Sequence, residues 1–101
     1  MTDDFKAGIV GLGQMGFPVA CRLLEQGVSL VAYDLNQEAL HRIEGKGAVA
    51  AENPADVARQ CDIIITVLPN GPHVESVAEG EHGILASGNK NLLWLEMSTI
   101  D

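Results

Sequence analysis

Three glycines in Gly11-Leu12-Gly13-Gln14-Met15-Gly16 stand at the spacing G-x-G-x-x-G. In a chain with 11 glycines the bare string carries little weight. Its placement carries more. The pattern directly follows the apolar run Ala7-Gly8-Ile9-Val10 and opens a stretch whose apolar residues recur at helical spacing. A strand, a glycine turn and a helix in that order aim bare backbone amides at one point, where the helix dipole also favours an anion. The chemistry on offer is the grip of a diphosphate, the centre of a dinucleotide. Gly11 permits a tight turn, Gly13 lets a diphosphate approach the main chain, and Gly16 lets the helix pack closely on the neighbouring strand. The alternative is a glycine-rich strand-to-helix turn that carries no ligand.

Asp34 is the second candidate. It ends the next apolar run and follows the glycine turn at close to the roughly 20-residue spacing of the carboxylate that holds an adenosine ribose. A carboxylate there accepts hydrogen bonds from the ribose hydroxyls and repels a 2′-phosphate. The following Leu35-Asn36-Gln37 holds no Arg or Lys to offset that repulsion, so the expected cofactor is NAD and not NADP. A second reading stays open, because Asp34-Leu35-Asn36-Gln37 also fits a helix-capping pattern. Asn36 could cap that helix in place of Asp34.

These residues need a scaffold, and the chain's periodicity supplies one. Ala7–Val10, Val28–Tyr33, Ala48–Ala50, Ile63–Leu68 and Leu92–Met97 read as five strands. Between them run helical patterns. The first carries Met15, Val19, Ala20, Leu23 and Leu24, with Pro18 tolerated in its first turn and Gly27 as its stop. The second carries Ala39, Leu40 and Ile43 and is closed by Gly45 and Gly47; the third opens at Asn53-Pro54 and runs through Val57 and Ala58. After a loop at Pro69-Asn70-Gly71-Pro72, a turn or two of helix holds Val74, Val77 and Ala78, and Ser87-Gly88-Asn89 forms a turn before the last strand. Ile63–Leu68 is apolar on both faces, as a central parallel strand should be. The predicted class is α/β, a Rossmann-type doubly wound parallel sheet truncated after its fifth strand.

Ile9-Val10-Gly11-Leu12-Gly13-Gln14-Met15-Gly16-Phe17-Pro18 resembles the N-terminal signature of the β-hydroxyacid dehydrogenases, the family of 3-hydroxyisobutyrate dehydrogenase and related semialdehyde reductases. Asn53-Pro54-Ala55-Asp56-Val57-Ala58, Val67-Leu68-Pro69, His82-Gly83-Ile84-Leu85 and Ser98-Thr99-Ile100-Asp101 extend the resemblance over nearly all of the chain. It implies that residues 1–101 are the N-terminal part of a dinucleotide-binding domain, followed in the full protein by an all-helical domain. It also implies an NAD groove touched by Gly11, Leu12, Gly13, Gln14, Met15, Gly16, Asp34, Leu68, Pro69, His73 and Thr99, with Ser98 holding the substrate carboxylate. At His73 the family usually carries Asn, and Glu96-Met97 replaces the commoner Asp-Ser pair. The family's catalytic lysine lies beyond Asp101, and Lys6, Lys46 and Lys90 sit in no matching motif, so the chain by itself is expected to turn over no substrate.

The implied activity is NAD-dependent oxidation of a small hydroxy acid, or reduction of the matching semialdehyde, by a cytoplasmic homo-oligomer. The alternatives are an imine reductase and a non-catalytic NAD-binding regulatory module. Composition narrows the field further. With six Lys and Arg against 14 Asp and Glu, the net charge of −8 disfavours nucleic acid as a partner. No apolar stretch is long enough to span a membrane, and no secretory signal is visible. Cys21 and Cys61 lack metal or redox spacing and read as reduced thiols; His41, His73 and His82 read as surface or loop residues. Glu75, Glu79 and Glu81 read as a solvated face, and Trp94 as packing. The chain stops just after a strand, which is expected to leave that strand's edge and nearby apolar faces exposed.

Overall fold

A computed structural model describes residues 5–67 and 92–97. The expectations for Leu68, Pro69, His73, Ser98 and Thr99 lie outside them, as do those for the loop at 69–72, the helical turns at Val74, Val77 and Ala78, the glutamates at 75, 79 and 81, His82 and the turn at 87–89. Within them, the elements in chain order are β1 (Lys6–Val10), α1 (Gly16–Glu25), β2 (Ser29–Tyr33), α2 (Gln37–Glu44), β3 (Val49–Ala50), α3 (Pro54–Gln60), β4 (Ile63–Thr66) and β5 (Leu93–Glu96). The five strands form one sheet in the order β3-β2-β1-β4-β5, and all four pairings are parallel. This is the doubly wound order in which strand succession reverses beside β1.

Side chains alternate across the sheet and divide the core in two. Ile9, Leu30, Ala32 and Ile65 face α1 and α2, where Ala20, Leu40 and Ile43 meet them. Val10, Val31 and Ile64 face the other way, against Val57, Ala58 and Cys61 of α3 and the residue after it. A central strand sandwiched on both faces must be apolar at successive positions, which explains the unbroken Ile63-Ile64-Ile65 run. Ile9, Ile43, Ile64, Val10 and Val57 are wholly buried, each contributing about 1.5–3 kcal/mol of transfer free energy. α3 comes especially close to β1. A Cβ on Gly8 would collide with Val57 Cγ1 and lie 2.9 Å from the Cys61 sulfur. Cys21 packs in one cluster and Cys61 in the other, both as thiols.

Several boundaries differ from the sequence expectation by a residue or two. Val28, Ala48 and Val67 sit just outside their strands, and β5 is shorter by one residue at each end. A larger difference concerns Met15. It does not join the core stripe of α1 but is 43% exposed, because it occupies the N-cap position and never enters the helix face. On β5, Leu93, Leu95 and Met97 are 58%, 45% and 42% exposed. Leu93 and Leu95 pair with Ile63 and Ile65, so this apolar row lies on the α1 side of the sheet. Trp94 points oppositely, packs against the α3-side cluster, and donates its indole N–H to Thr66 Oγ1 at 3.0 Å. Among the described residues no helix is long and apolar enough to cross a membrane.

Candidate dinucleotide-binding site

Strand order reverses beside β1, and the glycine turn follows the C-terminal end of β1, the place where open α/β sheets bind their ligands. Gly11 leaves β1 with φ +105°, a conformation that side chains rarely adopt. Two bonds then tie the start of the turn to the end of β2. The Gly11 N–H donates to the Tyr33 carbonyl at 3.0 Å, and the Leu12 N–H donates to Asp34 Oδ2 at 2.5 Å. Leu12 is buried at 4% exposure in the α1-side core, so this residue is anchored by its side chain as well as its amide. The next amides, of Gly13 and Gln14, are exposed and find no acceptor among the described residues. The turn is thus tied to β2 through its first two residues, while the residues that follow, Gly13 to Met15, are exposed.

Gly13 has open space where a Cβ would stand, with no heavy atom within 4 Å. Its φ lies outside the left-handed range, so the turn itself does not demand glycine there. The absent side chain leaves an open approach to the main chain, which a diphosphate requires. Gly16 answers a different constraint. A Cβ there would run into the Gly11 carbonyl and lie 3.4 Å from Val67 Cβ. The close contact expected between helix and neighbouring strand is therefore mostly with the turn's own first residue, with Val67 beyond β4 second.

Among the described residues, the N-terminus of α1 differs from those of α2 and α3. α2 is capped by Asn36, whose Oδ1 accepts from the amides of Glu38 and Ala39 at 3.0 and 3.2 Å. α3 is capped by Asn53, whose Oδ1 accepts from Asp56 at 2.8 Å. Each also carries a carboxylate in its first turn, Glu38 or Asp56. α1 has neither: Met15 provides no side-chain cap and the first turn holds no acid. The positive end of its dipole therefore has no compensating group from within the helix itself.

Asp34 stands at the tip of β2 at intermediate exposure. Of the two readings left open by the sequence, the geometry removes the capping one, because Asn36 caps α2 and Asp34 does not. Asp34 instead accepts from the Asn36 amide through Oδ1 at 2.8 Å and from Leu12 through Oδ2. The bond to Leu12 escaped sequence reasoning. The bond between Trp94 and the fully buried Thr66 escaped it too, since neither residue belongs to a motif. A shallow depression between α2 and β3, lined by Tyr33, Gln37, Leu40 and His41, includes no residue of the glycine turn. Among the described residues no cluster of His, Cys, Asp and Glu could hold a metal ion.

A model of the NAD-binding domain of 6-phosphogluconate dehydrogenase matches residues 6–101. The chain belongs to that family of NAD-binding domains. It is 46% identical over 91 residues to 3-sulfolactaldehyde reductase of Escherichia coli, a match that covers 90% of this chain and 30% of that protein. A solved 3-hydroxyisobutyrate dehydrogenase of Mycobacterium tuberculosis, with L-serine, superposes with a TM-score of 0.87 at 25% identity, covering 96% of this chain and 32% of that one. An imine reductase from Myxococcus stipitatus in complex with NAD+ also superposes with a TM-score of 0.87, covering 97% of this chain and 32% of that one. At 15% identity that likeness shows the fold alone. The chain spans about 30% of the length of the curated relatives it matches.

Proposed function

We propose that this chain is the cofactor-binding portion of an NAD-dependent oxidoreductase acting on a small β-hydroxy acid or its semialdehyde. The observation that carries the reading is the exposed glycine turn at the N-terminus of α1, which has no side-chain cap and no acid in its first turn, tied to Asp34 through the Leu12 amide. Resemblance to 3-sulfolactaldehyde reductase and 3-hydroxyisobutyrate dehydrogenase supports the substrate class. Such an enzyme would work in the cytoplasm as a homo-oligomer, with an all-helical domain after the dinucleotide domain and no nucleic-acid partner. The imine reductase reading is less well supported, because no base follows Asp34 to neutralise a 2′-phosphate.

In this reading Gly11 and Gly16 shape the turn, and the amides of Gly13 and Gln14 hold the diphosphate. Leu12 and Met15 flank it, and Asp34 accepts from the adenosine ribose. Leu68, Pro69, His73 and Thr99 are assigned to the rest of the groove, and Ser98 to the substrate carboxylate. When bound, NAD supplies the acceptor for a hydride from the hydroxyl-bearing carbon. This chain's residues bind and orient; their share of the rate is alignment of the two reactants. The proton is left to a lysine outside these residues. The test is a spectrophotometric assay of the full-length protein with NAD and a panel of small 3-hydroxy acids. Turnover with one of them supports the proposal, whereas binding of NADH without turnover of any would favour the regulatory module.

A further inference from the structure

The geometry points to a second role for Asp34, as the positioning residue that holds the glycine turn in its anion-binding shape, in addition to any contact with ribose. The inference deepens the proposed function and rests on its placement of a diphosphate at the turn. Both oxygens of the Asp34 carboxylate are engaged by main-chain donors, Oδ2 by Leu12 and Oδ1 by Asn36. The donors belong to two different segments, the turn after β1 and the entry to α2. One side chain therefore ties together the two loops that flank the ligand.

The Leu12 bond matters most for the turn. Gly11 and Leu12 have their amides drawn toward β2 by the Tyr33 carbonyl and by Asp34. With those two peptide planes fixed, the chain enters Gly13 and Gln14, both exposed, in one set course. Without the Asp34 acceptor, the Leu12 N–H would be left unsatisfied beside a buried side chain, and the peptide would rotate to seek another partner. Gly13, with open space around it and no Cβ, would offer little resistance to that rotation. A carboxylate still has lone pairs for ribose after accepting one bond on each oxygen, so the two roles are compatible. A consequence follows for cofactor preference. Replacing Asp34 to admit a 2′-phosphate also loosens the diphosphate grip, so a simple swap weakens NADH without a matching gain for NADPH.

The experiment separates this role from charge and from ribose recognition. In the full-length protein, Asp34→Asn and Asp34→Ala both remove the negative charge, but only the asparagine keeps a side-chain acceptor. Inorganic pyrophosphate is the probe, since it carries no ribose. Calorimetry should find pyrophosphate about fivefold weaker with Asp34→Ala than with Asp34→Asn, the factor expected of one net hydrogen bond. Hydrogen exchange of the Leu12 amide in the ligand-free protein should quicken in the alanine variant and stay near wild type in the asparagine variant. Equal pyrophosphate affinity in the two variants would overturn the inference. If the wild-type protein binds NADH while the two variants match on pyrophosphate, only the positioning role falls. If the wild-type protein binds no NADH, the functional reading falls with it.

Discussion

Gly13 and Gly16 are both glycines of one motif, yet the structure assigns them opposite sensitivities, and paired alanine substitutions would expose the difference. At Gly13 a methyl group enters empty space at an unstrained φ, so Gly13→Ala should change stability by no more than about 0.5 kcal/mol. The same methyl occupies the approach to the turn. Overpacking a well-fitted contact costs about 1–3 kcal/mol, so NADH affinity should fall by about 5- to 150-fold. At Gly16 the methyl meets the Gly11 carbonyl, a backbone group that cannot swing aside as a side chain can. Overpacking of about 1–3 kcal/mol there is offset by at most about 1 kcal/mol of helix propensity, leaving a net loss of up to about 3 kcal/mol, centred on about 1.5. Urea denaturation of the full-length protein reads stability, and calorimetry with NADH reads affinity. A Gly13→Ala protein that binds NADH like wild type would refute the placement of the diphosphate. One that loses as much stability as Gly16→Ala would refute the packing argument.

Other substitutions probe separate parts of the account. The full-length protein should prefer NADH to NADPH by about fivefold or more in binding, because a second negative charge about 4 Å from the Asp34 carboxylate costs about 1 kcal/mol even in bulk water; preference for NADPH would contradict it. Burial pushes the Cys61 thiol up to about 12 from its ordinary 9.0, with nearby Lys6 opposing and Asp62 and Asp56 adding to the rise. Below about pH 9 the thiol is protonated in both folded and unfolded chains; above it only the unfolded chain ionises, so stability falls by about 1.4 kcal/mol per pH unit as pH rises toward 12. Cys61→Ala should flatten that slope in urea titrations between pH 9 and 10.5, and an unchanged slope would contradict the assignment. Thr66→Val removes the acceptor of the Trp94 indole N–H and should cost about 1–3 kcal/mol, but much less in a Trp94→Phe background. Equal costs in the two backgrounds would show that the bond contributes nothing.

The sheet and its helices were legible because each element states its environment locally. Ile63-Ile64-Ile65 can only be a strand covered on both faces, and Asn36 and Asn53 announce helix starts through their own side chains. The glycine turn was legible for a related reason, since Gly11 is required by a backbone angle and Gly16 by a close approach, both of which restrict residue type. Met15 was misplaced because an apolar residue at an N-cap looks, by spacing, like the first member of a helix stripe. Neither the Asp34 bond to Leu12 nor the Trp94 bond to Thr66 could be seen in the sequence. Each joins segments that meet only once the sheet has formed, and an aspartate or threonine has many possible partners until the fold selects one. The exposed row of Leu93, Leu95 and Met97 was foreseen on β5, though not which face of the sheet would carry it.

The most direct test is a crystal structure of the complete polypeptide grown with NAD. The account predicts the diphosphate on the amides of Gly13 and Gln14 and the adenosine ribose hydroxyls on Asp34. A dinucleotide seated elsewhere, or a ribose that leaves Asp34 untouched, would contradict it.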